Sequence, residues 1–69
     1  MTQTEKILQY IKDFGSINPG QAYSDLGIYR LSARIQELRE SGYRIKSEMV
    51  SDKNRYGESV RYAVYSLEA

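Results

Sequence analysis

The chain has 69 residues with ten basic and nine acidic side chains, a net charge of +1, seven tyrosines, no cysteine and no histidine. That length supports one small core and no second domain. The missing cysteine removes disulfides and thiolate metal sites, and the missing histidine removes the commonest general base and zinc ligand. No apolar run approaches the roughly 20 residues that span a bilayer, and the N-terminus lacks a basic-then-apolar signal pattern. A soluble protein of the cell interior, with no membrane partner, is therefore the expectation.

Thr2 and Glu5 stand at the spacing of a capping box, with Thr4 as a competing cap, and predict a first helix over about 4–14. Ile7, Leu8, Tyr10, Ile11 and Phe14 form its broad apolar face, while Glu5, Gln9, Lys12 and Asp13 face water. Gly15 suits the left-handed conformation that ends a helix. Asn18-Pro19 opens a short second helix over 19–26, because asparagine caps and proline lacks only an N–H that would be orphaned there. Ala22 and Leu26 share one face of it, and Ile17 before it is expected to bury beside a later hairpin. Leu26-Gly27-Ile28 makes the next turn.

The third helix is predicted over 29–41. Ile28, Leu31, Ile35 and Leu38 recur at the three- and four-residue intervals of one buried stripe. Opposite it lie Tyr29, Ala33, Gln36, Glu37 and Glu40, bordered by Arg30 and Arg34 on one side and by Ser32 and Arg39 on the other. A face with planar donors around one small residue suits a DNA major groove, where arginine and glutamine match base edges. A plain solvated surface with mixed charges has the same composition. Charge is distributed unevenly: residues 1–27 carry a net −1, and residues 28–46 a net +3, the distribution expected of a phosphate-binding patch on one helix.

After Gly42 the period changes to two. Strands are predicted over 43–50 and 60–67, the first with Tyr43, Ile45, Ser47 and Met49 on one face, the second with Val60, Tyr62, Val64 and Leu67 interleaved with Arg61, Ala63, Tyr65 and Ser66, a grouping that breaks strict alternation in the final turn. Tyr10, Tyr43, Tyr62 and Tyr65 are read as half-buried, and Tyr29 and Tyr56 as exposed. The polar segment 51–59 joins the strands and carries Lys53, Asn54, Arg55 and Tyr56. Helix, short helix, basic helix, then hairpin is the order of an α+β, three-helix winged helix-turn-helix domain with a C-terminal β-hairpin, a single domain over 1–69. In that arrangement the 51–59 loop is the wing, able to reach sugar-phosphate or a minor groove.

Catalysis is not expected. The serines have no histidine partner, the acids show no metal-ligand spacing, and the glycines read as helix ends and turns rather than a phosphate cradle. Neither a cofactor nor a metal is predicted.

The run L-G-I-Y-R-L-S-A-R-I-Q-E-L-R-E-S-G-Y-R-I, from Leu26 to Ile45, resembles the small helix-turn-helix domains of bacteriophage and prophage proteins. In those domains a leucine-glycine turn enters a helix reading roughly R-L-(A/S)-A-R-I-x-x-L-R-x-x-G. Arg30, Leu31, Ala33, Arg34, Ile35, Leu38, Arg39 and Gly42 stand at the matching positions. The opening T-Q-T-E-K-I-L-Q-Y-I is similar to the first helix of that family, and the hairpin matches in kind only. The resemblance implies DNA binding and a regulatory or accessory role in phage biology.

The resulting expectation is a double-stranded DNA-binding protein. Tyr29, Arg30, Ala33, Arg34, Gln36 and Glu37 are its helical contacts, and Lys46, Lys53, Asn54, Arg55 and Tyr56 are those of the hairpin and wing. Arg44 and the backbone at Gln21 are secondary phosphate candidates. Limited surface on one module favours a homodimer or a larger nucleoprotein complex. The alternative is a protein-interaction module on the same fold, favoured by near-zero net charge and by the acids Glu37 and Glu40. A weaker third reading stacks single-stranded nucleic acid on Tyr29 or Tyr56.

Overall fold

In a computed structural model, which describes residues 1–68, the chain forms α1 (Gln3–Phe14), α2 (Pro19–Leu26), α3 (Leu31–Glu40), β1 (Ile45–Lys53) and β2 (Ser59–Leu67). Each helix starts or stops where its local chemistry dictates. The Thr2 hydroxyl accepts the Glu5 N–H at the head of α1. Asn18 and Gln21 form a reciprocal capping box at the head of α2, with Pro19 in its first turn. α2 ends at Gly27, which adopts φ 69°, a left-handed conformation that glycine reaches without a Cβ penalty. The Gly27 and Ile28 N–H groups then bond back to Tyr23 O and Ala22 O. At the end of α3, Tyr43 N–H returns to Leu38 O and Gly42 N–H to Arg39 O, a Schellman closure around left-handed Gly42.

Ile7, Leu8 and Ile11 of α1, Ala22 of α2, and Leu31, Ile35 and Leu38 of α3 meet in one core with Ile17, Ile28 and Ile45. Burying each large aliphatic side chain contributes about 1.5–3 kcal/mol. The helices cover one face of the antiparallel β1–β2 hairpin through Ile45, Tyr65 and Leu67. Ile17 pairs with Tyr65 as a one-residue third strand, exchanging both backbone hydrogen bonds at 2.9 and 2.8 Å, and is fully buried as expected.

Several expectations need correction. The third helix begins at Leu31 and ends at Glu40, not over 29–41, so Tyr29 lies in the entry turn and Arg30 is the N-cap. Ile28 must enter the core just after Gly27, and that detour delays the helix. The first strand starts two residues later and runs three residues further toward the tip than predicted, and the second starts one residue earlier, which shrinks the connecting segment from 51–59 to 54–58. The second strand keeps strict alternation to its end, so Leu67 lies on the core side as predicted while Val60, Tyr62 and Val64 do not. Ile45 pairs with Leu67 and Ser47 with Tyr65, so Ala63, Tyr65 and Leu67 face the helices while Val60, Tyr62 and Val64 face away. Phe14 is 71% exposed, its ring packing on Tyr10 at 4.6 Å at the margin of the core rather than within it. Met49 (61%) and Tyr43 (44%) are also exposed. The hairpin outruns the helices along a molecule 38 Å long, and leaves its distal half with nothing beneath it.

Candidate nucleic-acid interface

The outward surface of α3 carries Ser32, Gln36, Glu37 and Glu40, all exposed, around half-buried Ala33 and Arg34. Arg34 donates Nη2 to Glu37 Oε1 at 2.6 Å, one turn along, and Gln36 donates to Glu40 at 3.2 Å. The middle of the face is therefore internally neutralised. Arg30 sits at its edge as the N-cap, exposed and making no capping hydrogen bond. Unlike α1 and α2, α3 has no side-chain cap hydrogen bond, so its first-turn N–H groups lack the side-chain acceptor that Thr2 and Asn18 supply to the other two helices. Tyr29 is 81% exposed, and its ring stands edge-on to Tyr23 at 5.1 Å, which braces the α2–α3 turn.

In the hairpin loop, Asn54 is committed to the fold. Its Oδ1 accepts the N–H groups of Tyr56 and Glu58 at 2.9 and 3.0 Å, its Nδ2 donates to Glu58, and its backbone N–H bonds Glu58 O. This Asx-type turn, completed by left-handed Gly57, lifts Arg55 and 81%-exposed Tyr56 to the tip. The structure thus gives Asn54 a shaping role, with Arg55 and Tyr56 presented by it.

Parity sorts the remaining cations. Lys53 is on the helix-side face of the hairpin, and Lys46 on the opposite face, so the structure does not bring those two together. Arg61, opposite Ser51, shares the helix-side face with Lys53 and is exposed. Sequence reasoning overlooked Arg61 because Val60, Tyr62 and Val64 resemble a core face. The signal that could have found it was continued alternation through Ala63, Tyr65 and Leu67. One expected phosphate contact, the Gln21 backbone, and one border arginine, Arg39, are committed to the fold. The Gln21 N–H is already accepted by Asn18 Oδ1 at 2.8 Å. Arg39, on the border of the α3 stripe, donates Nε and Nη2 to the Ile45 carbonyl at 3.1 and 2.8 Å, tying α3 to β1. Among the described residues, Arg34–Glu37 is the one ion pair, and Arg30, Lys53, Arg55 and Arg61 have no carboxylate partner.

Three helices with a short α2–α3 turn, followed by an antiparallel hairpin, agree with the family model for the winged helix-turn-helix domain, which matches residues 2–69. The chain belongs to that family. No curated protein and no solved structure matches it significantly. Within the winged helix, α3 stands in the position of the recognition helix and 54–58 in that of the wing tip. The family as such covers both DNA-binding and protein-binding roles. No helix among the described residues is long and apolar enough to cross a membrane.

Proposed function

We propose that this winged helix binds double-stranded DNA as a regulatory or accessory factor of a phage or prophage, with α3 in the major groove and the hairpin on the backbone. The observation that carries this reading is the placement of unpaired cations. Lys53 and Arg61 lie on the hairpin face turned toward the helices, Arg55 stands at the tip, and Arg30 marks the uncapped start of α3. Phosphates flanking a groove would meet these cations while Gln36 and the Arg34–Glu37 pair face base edges around Ala33. Tyr29 and Tyr56 add exposed hydroxyls for sugar-phosphate contact. Lys46, on the other face of the hairpin, is the outlying member of the predicted set.

A second reading has its own observation. Pairing of Arg34 with Glu37, and of Gln36 with Glu40, leaves the centre of α3 without net positive charge, which suits a protein partner. A selection from random duplex DNA separates the two. An enriched motif whose binding falls steeply with salt, and weakens in the folded R30A/K53A/R55A variant, supports DNA recognition. Absence of binding at low salt rejects it in favour of the protein-interaction module.

A further inference from the structure

One edge of β1 pairs with β2, and no described backbone pairs with the other. Side chains close the two ends of that open edge. Arg39 occupies the Ile45 carbonyl, and Asp52 Oδ1 accepts the Lys53 N–H at 2.8 Å. What lies between follows from the ladder. Tyr65 spends both its backbone groups on Ile17, so its partner Ser47 directs both of its own away from β2. The same parity turns the N–H and C=O groups of Met49 and Ser51 outward. The open edge is therefore Ser47, Met49 and Ser51, centred on Met49, with the two capped residues equally far on either side.

We infer that this edge takes a second copy of the chain, β1 against β1 and antiparallel, about a two-fold axis at Met49. The result is a four-stranded sheet in the order β2–β1–β1–β2. An axis normal to the sheet keeps every side chain on its own face, so odd-numbered residues oppose odd-numbered ones. With Met49 opposite Met49, Ser47 opposes Ser51 of the second copy, and all six outward N–H and C=O groups find partners. On the other face Lys46 opposes Asp52 of the second copy, and symmetry makes that pair twice.

Neighbouring registers are disfavoured by charge and by the caps. Centring on Glu48 sets Glu48 against Glu48 and brings Ser51 to the carbonyl that Arg39 holds. Centring on Val50 sets Glu48 against Asp52 and brings Ser47 to the N–H that Asp52 holds. Like charges directly opposed across strands are destabilising. The charge pattern of β1 is thus self-complementary in one register, which commits the edge to another β1 rather than to a foreign strand. Met49, 61% exposed on the distal hairpin, gains its counterpart at the axis.

The test is sedimentation of the full chain from micromolar to millimolar concentration, without DNA, so that its outcome stands apart from any result with DNA. The expected result is a reversible monomer–dimer equilibrium. Lys46→Asp should weaken association about tenfold, as should Asp52→Lys, and the K46D/D52K double variant should restore it. Ser51→Pro removes an outward N–H that β2 does not use, and should give a folded monomer. Met49→Cys, the sole cysteine of that variant, should form a disulfide-linked dimer on oxidation, since opposed Cα atoms at the axis lie about 5.5 Å apart. A wild-type chain that stays monomeric throughout overturns the inference. So does a dimer indifferent to S51P, or one that K46D/D52K fails to restore when that variant is folded.

Discussion

Arg39 gives the sharpest test of whether a cation on α3 serves the fold or a ligand. Its guanidinium donates two hydrogen bonds to one carbonyl, that of Ile45, at 3.1 and 2.8 Å. Hydrogen bonds from charged donors contribute about 1.5–3 kcal/mol. Because the contact is only partly buried, water replaces some of it in Arg39→Ala, and the expected loss sits at the low end, about 1.5 kcal/mol. For a domain of this size each kcal/mol moves Tm by about 4–8 °C, so the melting temperature should fall by about 6–12 °C. Arg39→Lys should recover part of the loss, because an ammonium replaces the fork with a single point donor. Circular dichroism with thermal and urea unfolding measures both variants. Paired salt titrations on the selected duplex should show an unchanged slope. Wild-type stability together with a slope reduced by about 0.9 would refute the reasoning and make Arg39 a phosphate ligand.

If the DNA reading holds, R30A/K53A/R55A should lower the slope of log K against log salt by up to about 2.7, at about 0.9 per lost phosphate contact, and Arg61→Ala should lower it by up to about 0.9 more. Ile17→Ala, at a fully buried residue that also anchors Tyr65, should cost about 2–5 kcal/mol in urea unfolding, against about 0.5–1.5 for Ile17→Val. Asn54→Ala strips two N–H groups of their acceptor, and should raise amide exchange at Tyr56 and Glu58 while leaving exchange in α1 unchanged. Tyr10 donates to Asp25 at 2.6 Å, and that bond, then partial burial and the Asp25 charge, hold its hydroxyl above the usual tyrosine pKa. The proton-bound form is the one the fold favours, so this stabilisation is complete below pH 10 and lost as pH rises through the elevated folded value. Tyr10→Phe should therefore lower Tm at neutral pH and flatten its decline at alkaline pH. An equally steep decline in Y10F would show that other groups cause it.

The features legible without any tertiary contact were local and periodic. The caps at Thr2 and Asn18, the glycine stops, and the Leu31–Ile35–Leu38 stripe were legible because they depend on residues within a turn or two of one another. The element order, and through it the winged helix, followed from the switch between the two periods. Tertiary structure decided which face of β2 is buried, since Val60, Tyr62 and Val64 are as apolar as Ala63, Tyr65 and Leu67. The choice came from the pairing of Ile17 with Tyr65 and of Ile45 with Leu67, partners far apart in sequence. That choice put Arg61 beside Lys53 and turned Lys46 away. It also directed Arg39 to a carbonyl around the α3–β1 corner and left Phe14 and Met49 at the margins of a core too short to cover them. Apart from the alternation that sets Arg61 in step with Tyr65 and Leu67, these outcomes have no local signature, because each depends on where a second element ends.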